Sequence, residues 1–235
     1  MAVRVWVVDA RTADEAEAAR LLSAAELDRA GELDVASVRR TFVLSRALQR
    51  TLGSRYSGAP AAEVDITRAC AHCAHPGHGK PRFAAAPELD YSVSHSGDLV
   101  AIAASTDTRV GLDVEAGSRH VEPERMIPLL ATESERTALA GLSGQALRRE
   151  LFRLWAYKEA VVKLTGHGLL AVPFTALGVD GPVVRLTAPL DHWPGEAIRL
   201  TGLSLDEGYV SALATTGPPP EVAVDRLARV TDLAW

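Results

Sequence analysis

No purely apolar stretch of this chain is longer than Leu99–Ala104. A helix that crosses a membrane needs about 20 such residues. The core must therefore be assembled from many short elements separated by turns. Of the 235 residues 47% are hydrophobic but only 5% aromatic, so Val, Leu, Ile and Ala have to fill that core.

The order of elements is legible. Val3–Val8 reads as an opening strand ended by Asp9. Residues 12–30 have helical composition, and Ser23-Ala-Ala-Glu26 fits a capping box. The apolar stripe of Ser37–Leu52 predicts a helix with Gly53 just past its end. A short strand is expected at Glu63–Thr67. Tyr91–Ser94, Leu99–Ser105 and Arg109–Glu115 predict three strands, joined by turns at Ser96-Gly-Asp98 and Asp107-Thr108 as a β-meander. Met126–Leu130 and Glu133–Leu142 read as helices. Ala146–Leu164 is the longest helix, stopped by Thr165-Gly166. Strand-like runs follow at Val183–Leu186, Ile198–Leu203 and Tyr209–Ala214, and Gly217-Pro-Pro-Pro220 breaks the chain before a short tail. This order predicts an α+β fold of two comparable halves, residues 1–108 and 109–235.

Charge and cysteine content narrow the function. Lys and Arg number 25 against 30 Asp and Glu, a net charge of −5, which argues against wrapping nucleic acid. The opening Met-Ala-Val-Arg-Val-Trp has no secretory apolar region. Two cysteines cannot form a disulfide framework. The expected setting is the reducing cytosol, with no membrane partner.

Several segments carry chemistry. In Arg109–Glu115, alternation turns Val110, Leu112 and Val114 one way and Gly111, Asp113 and Glu115 the other. Two carboxylates then stand side by side next to a glycine that leaves room for a ligand. They repel unless something positive lies between them, and their oxygens suit Mg²⁺ or Mn²⁺. The competing reading is a solvated acidic face. In Leu151–Lys163, Leu151, Leu154, Trp155 and Val162 share one helical face, and Lys158 and Glu159 fall within or at the edge of it. Either the pair is an internal salt bridge, or Glu159 is a third metal carboxylate flanked by the phosphate-binding lysines Lys158 and Lys163. Ser94-His95-Ser96 ends a strand at a tight turn, and Gly79-Lys80-Pro81-Arg82 is a stiff basic turn upstream. Both are anion-binding candidates or plain turn chemistry. Arg39, Arg46 and Arg50 share a face of the 37–52 helix, with Arg46 the strongest phosphate candidate. No Walker-type phosphate loop and no Gly-x-Gly-x-x-Gly is present. Cys70-Ala-His-Cys73 with His75 and His78 has zinc-ligand spacing but lacks a second cysteine pair.

Gly111-Leu-Asp-Val-Glu115, followed by Trp155-Ala-Tyr-Lys-Glu-Ala160 and Lys163, resembles the 4′-phosphopantetheinyl transferases. The Ser94-His95-Ser96 and Gly79-Lys-Pro81 elements are similar to the surfactin-synthetase-activating branch. The resemblance implies a monomer of two α/β halves related by a pseudo-two-fold, with coenzyme A bound between them. It implies Mg²⁺-dependent transfer of phosphopantetheine to a serine of an apo acyl or peptidyl carrier protein, releasing 3′,5′-ADP. Asp113, Glu115 and Glu159 would hold the metal, with Glu159 or a water as base. Lys158 and Lys163 would neutralise the pyrophosphate. Arg46, Lys80, Pro81, Arg82, Ser94 and His95 would contact the coenzyme A nucleotide. An acidic carrier helix would dock on Leu169, Leu170, Val172 and Phe174, with Lys163, Arg148 and Arg149 supplying charge. Without the family spacing, the same carboxylates fit a Mg²⁺-dependent nucleotidyl or phosphoryl transferase or hydrolase of a small diphosphate. The Cys/His loop fits a non-catalytic carrier- or metal-binding module.

Overall fold

Strands with no polar face must be covered on both sides. Every residue of Leu99–Ser105 and of Val110–Ala116 is buried. The computed structural model, which describes residues 1–68, 79–118, 121–168 and 172–235, accounts for this by layering. The first part of the chain gives β1 (Ala2–Asp9), α1 (Glu15–Ala19), α2 (Ala24–Gly31), α3 (Ala36–Ser57), β2 (Ile66–Arg68), β3 (Pro81–Phe83), β4 (Asp90–Ser96) and β5 (Leu99–Ser105). The second gives β6 (Val110–Ala116), α4 (Pro123–Leu130), α5 (Glu133–Leu139), α6 (Gly144–Thr165), β7 (Leu177–Asp180), β8 (Val183–Leu186), β9 (Ile198–Leu203), β10 (Tyr209–Thr216) and β11 (Glu221–Leu227). One sheet has the order β11-β1-β5-β4 and the other β6-β10-β9-β8-β7, with β2-β3 a small hairpin apart.

Each sheet carries one 22-residue helix. Leu44, Leu48 and Leu52 of α3 pack on Trp6, Val8, Tyr91 and Ile102. Leu151, Leu154, Val161 and Leu164 of α6 pack on Ile198, Leu200, Ala212 and Ala214. Between the sheets, Val3, Val5, Val7 and Ala101 meet Val110, Leu112, Val114 and Leu213. Each such aliphatic side chain contributes about 1.5–3 kcal/mol of burial, so this middle layer binds the halves strongly. Among the described residues no helix is long and apolar enough to cross a membrane.

The sheets also join edge to edge. Asp90, Ser92, Ser94 and Ser96 all lie on alternate positions of β4. Their side-chain oxygens accept from the backbone N–H groups of Val110, Leu112, Val114 and Ala116 at 2.9, 3.0, 3.1 and 3.0 Å. The constant offset makes β4 and β6 run parallel, with side chains replacing one strand's backbone. The β-meander expectation therefore ends at β5, because β6 crosses to the second sheet.

Two other expectations need correction. The helix α3 does not stop at Gly53 but continues to Ser57, capped by Gly58 at φ 76°. Gly53 is an interior packing position, since a Cβ there would lie 2.6 Å from Val64 and 2.7 Å from Phe83. The tail after Gly217 is not irregular: β11 pairs in parallel with β1, Ala2 opposite Glu221 through Val8 opposite Leu227. The expected division after residue 108 falls where the chain leaves the first sheet, but β11 returns to that sheet.

The helix α6 sits hard on β6. A Cβ on Gly111 would lie 1.9 Å from the Ala160 carbonyl oxygen, so only glycine permits this approach. Arg109 donates to the carbonyls of Leu164 and Thr165 at the end of α6. Lys158 fixes the helix from its other side. Fully buried, its ammonium donates to Glu135 Oε2 at 2.6 Å and to the carbonyls of Leu130 at 2.7 Å and Phe174 at 3.1 Å. Glu135 also accepts from Thr132 N at 2.8 Å and Val179 N at 2.9 Å. One carboxylate thus ties α5, α6 and β7 together. Burial pulls the Lys158 pKa down, against the hydrogen bond and charge of Glu135. Replacing Lys158 by Met should cost about 3–5 kcal/mol by leaving Glu135 buried and uncompensated. Equilibrium urea unfolding measures this; a loss below about 1 kcal/mol, the range of exposed pairs, would contradict the closed cage.

Candidate functional site

The face of β6 that carries Gly111 also carries Asp113 and Glu115, and both carboxylates are buried against α6. Asp113 is the centre of the arrangement. Its Oδ1 accepts from Lys163 Nζ at 2.6 Å and from the Ser94 hydroxyl at 3.1 Å. Lys163 Nζ also donates to Ser94 Oγ at 2.8 Å. One turn of α6 separates Lys163 from Glu159, and β6 sets Asp113 opposite that turn. Ser94 is in reach because the β4 ladder holds it over Val114. The Ser96 hydroxyl repeats the pattern one step on, donating to Glu115 Oε2 at 3.3 Å.

Asp113, Glu115, Ser94 and Lys163 line a cavity of about 410 Å³, together with Arg46, Arg68, His95 and Glu159. A second cavity of about 300 Å³ adjoins it and shares Arg68, Val93, Glu159 and Lys163; Gly79, Lys80 and Pro81 close its far wall. Both halves of the chain contribute to each cavity. Burial raises the Asp113 pKa, while the charge and hydrogen bond of Lys163 lower it, with burial the larger influence. Partial desolvation, then the Lys163 and Arg46 charges, lower the His95 pKa. Desolvation and the charge of Arg68 lower that of Arg46, more than Glu26 raises it. A pocket in which cations depress one another's pKa is prepared for an anion.

The expected site residues differ in where they lie. Asp113, Glu115, Glu159, Lys163, Ser94, His95 and Arg46 all reach the larger cavity, and Pro81 the smaller. Lys80 and Lys158 lie at or near the site but their ammonium groups are engaged in the protein itself. Lys80 bonds Asp90 and the Val110 carbonyl, the latter at 2.7 Å, and burial pulls its pKa down to about 8. Lys158 is enclosed by Glu135 and two carbonyls, so the internal salt bridge is the arrangement found there. Arg82 turns away and lines a separate polar cleft with Arg109 and Glu196. Leu169 and Leu170 lie outside the described residues, as do Cys70, Cys73, His75 and His78. Phe174 is buried against Trp155 at 5.3 Å between ring centroids.

The basic stripe of α3 separates in the same way. Arg39 and Arg40 pair with Glu15, and Arg50 with Glu26 and the carbonyls of Ala61, Ala62 and Val64. Only Arg46 of these faces the cavity. Sequence reasoning missed Arg68, which lines both cavities one residue beyond the strand expected at 63–67. Its signal is register: in the β2-β3 hairpin it stands opposite Pro81 of the basic turn.

Among the described residues no three His, Cys, Asp or Glu side chains converge as a ready metal cluster. The donor chemistry nevertheless fits a hard divalent cation. Three carboxylates line one cavity, and Asp113 Oδ2 is buried with no hydrogen-bond partner. An orphaned carboxylate oxygen of this kind is costly without a cation or donor.

Comparison with known proteins agrees with this geometry. Residues 9–107 match the model of the N-terminal part of 4′-phosphopantetheinyl transferases. Residues 109–209 match the model of the 4′-phosphopantetheinyl transferase superfamily. The chain is similar to the 4′-phosphopantetheinyl transferase HetI of a Nostoc species, 28% identical over 85% of this chain and 80% of that protein. It is 36% identical to the 4′-phosphopantetheinyl transferase psf-1 of Bacillus pumilus, over 60% of this chain and 59% of that protein. A third relative is the L-aminoadipate-semialdehyde dehydrogenase-phosphopantetheinyl transferase of Xenopus laevis, 33% identical over 40% of this chain and 34% of that protein. The two family matches meet just before the strand that carries Asp113 and Glu115 and together span residues 9–209, and the chain belongs to the 4′-phosphopantetheinyl transferase superfamily.

Proposed function

We propose that this chain transfers the 4′-phosphopantetheine group of coenzyme A to a serine of an apo acyl or peptidyl carrier protein. A monomer acting in the cytosol is the setting of this reading. The observation that carries it is a single cavity, built by both matched segments, in which Asp113, Glu115 and Glu159 face Arg46, Arg68, His95 and Lys163. A ligand that carries both a pyrophosphate and a divalent cation satisfies both sets of charges. Asp113, Glu115 and Glu159 would hold Mg²⁺, with Mn²⁺ as a substitute. When bound, that ion supplies Lewis-acid stabilisation of charge on the pyrophosphate.

The chain's own residues account for the rest. Lys163, Arg46 and Arg68 would face phosphate oxygens, and His95 at the open end would meet the nucleotide phosphate. Gly79 and Pro81 would shape the wall against the nucleotide. Lys80 and Lys158 act from behind: Lys80 closes the start of the β4–β6 ladder, and Lys158 holds α6 so that Glu159 faces the cavity. The carrier serine oxygen attacks the β-phosphorus of coenzyme A, and the bond to 3′,5′-ADP breaks. Glu159 takes the serine proton, directly or through a water.

The carrier surface is best supported beside the end of β6. Ala116, Gly117, Arg148, Arg149, Phe152 and Tyr209 line a cleft of about 580 Å³ immediately after Glu115. Arg148 lies over the Phe152 ring at 5.7 Å and donates to the Gly117 carbonyl at 3.1 Å. Arg149 is exposed. Basic charge above an aromatic floor suits an acidic carrier helix. Burial of Val172 and Phe174 speaks against their part in docking.

Incubation with coenzyme A, Mg²⁺ and an apo carrier domain, followed by mass spectrometry, tests the reaction. The carrier should gain one phosphopantetheine. Chelation should abolish the gain and Mg²⁺ restore it, and Asp113→Ala should lower turnover by at least about 100-fold. Coenzyme A cleavage without carrier modification would favour a diphosphate hydrolase instead. Arg149→Glu should raise the carrier KM by about tenfold, about 1.4 kcal/mol, and leave the coenzyme A KM unchanged. Steady-state kinetics with each substrate varied in turn checks this, and an unchanged carrier KM would remove the cleft from the docking surface.

A further inference from the structure

Asp113 is held by a cation that belongs to the protein. Lys163 Nζ lies 2.6 Å from Asp113 Oδ1 and 2.8 Å from Ser94 Oγ. Ser94 is not free to move, because its oxygen also accepts from Val114 N at 3.1 Å. The Lys163 side chain differs from the other two lysines of the chain. It is 30% exposed, whereas those of Lys80 and Lys158 are 4% and 0% exposed. Its ammonium therefore has room to turn, and both adjoining cavities lie within its reach.

We infer that the Lys163 ammonium and a divalent cation compete for Asp113, so that metal and pyrophosphate-bearing ligand bind cooperatively. The reasoning is electrostatic. A metal on either oxygen of Asp113 comes within a few ångströms of the ammonium, and like charges that close repel strongly away from bulk water. Metal alone must break the ion pair or bear the repulsion. A polyphosphate alone meets three carboxylates and a lysine still engaged with Asp113. When both arrive, Lys163 exchanges its carboxylate for a phosphate oxygen, and the metal takes the carboxylate. Each ligand removes the obstacle to the other, and linkage makes the effect reciprocal. The inference rests on reading this cavity as a metal–pyrophosphate site, and it adds an order of preference that neither charge set specifies alone.

The test uses Mn²⁺ alone as the first probe, titrated into the whole protein and followed by the loss of the free-ion electron paramagnetic resonance signal. Lys163→Met and Lys163→Gln should bind Mn²⁺ at least about tenfold more tightly than wild type, and Lys163→Arg, which keeps the charge, should match wild type. Adding saturating coenzyme A, with Mn²⁺ binding to coenzyme A itself subtracted, should tighten wild-type Mn²⁺ binding by about tenfold or more and that of Lys163→Met by less than about threefold. Neutral variants that bind Mn²⁺ no more tightly than wild type would overturn the competition. If those variants fail to fold, the wild-type arm decides alone: Mn²⁺ affinity independent of coenzyme A overturns the proposal. The first arm uses no coenzyme A, and the transferase reading is tested separately by the carrier mass gain, so either can fail without the other.

Discussion

Four side chains on one strand replace the backbone of a missing neighbour, and the meeting of Ser94 with Asp113 and Lys163 follows from them. Asp90, Ser92, Ser94 and Ser96 accept from alternate N–H groups of β6. A direct β4–β6 pairing would bring the strands to about 4.8 Å and flatten two sheets into one. Side-chain rungs instead let the sheets fold over each other while closing both edges, which would otherwise be open to pairing with other chains. Each rung contributes only about 1 kcal/mol net, yet an unsatisfied buried N–H costs about 1–3 kcal/mol, so the ladder acts mainly by making other registers unfavourable. Register is what the site needs. A shift of one residue would put Val93 where Ser94 meets Asp113 and Lys163.

Charge is distributed with the same economy. The chain has only three lysines, and each ammonium engages a carboxylate: Lys80 with Asp90, Lys158 with Glu135, Lys163 with Asp113. A compact ammonium, with three donors, can satisfy a carboxylate and backbone carbonyls at once. Lys80 does so at the first rung of the ladder and Lys158 at the junction of α5, α6 and β7. These two hold the walls. The third stands at the cavity with a partly exposed stem, where a change of partner is open to it. Adjacent residues of one helix, Lys158 and Glu159, thus serve different ends: one faces the interior junction and the other the cavity.

Much of this was legible before the fold was known. Alternation in Arg109–Glu115 separates the apolar residues from Gly111, Asp113 and Glu115, because a strand's period of two leaves no other arrangement. The long helix carrying Glu159 and Lys163 was equally plain. What could not be read is non-local. The strand β11 lies beyond a Pro-rich break, and only its pairing with β1 makes it a strand. Gly53 looks like a helix stop, since its role depends on Val64 and Phe83 arriving from another segment. Lys158 carries the same charge as Lys163 on the same helix, and only Glu135 tells them apart. Ser94 and Ser96 read as turn chemistry or anion contacts, although their alternation with Asp90 and Ser92 was visible, because the backbone they bind belongs to a different sheet. Arg68 gained its place through a three-residue strand too short to show a period.

One claim carries the rest: the cavity at the β4–β6 junction, lined by Asp113, takes a metal and a pyrophosphate together. A crystal structure of the protein with coenzyme A and Mn²⁺, with data collected at the manganese absorption edge, tests this most directly. One anomalous peak is expected at about 2.1–2.2 Å from an Asp113 oxygen, a distance appropriate to a small divalent cation on carboxylate, with the pyrophosphate beside it and Lys163 turned from Asp113 to a phosphate oxygen. A nucleotide bound elsewhere, such as the polar cleft of Arg82 and Arg109, or a manganese peak away from Asp113, would contradict it.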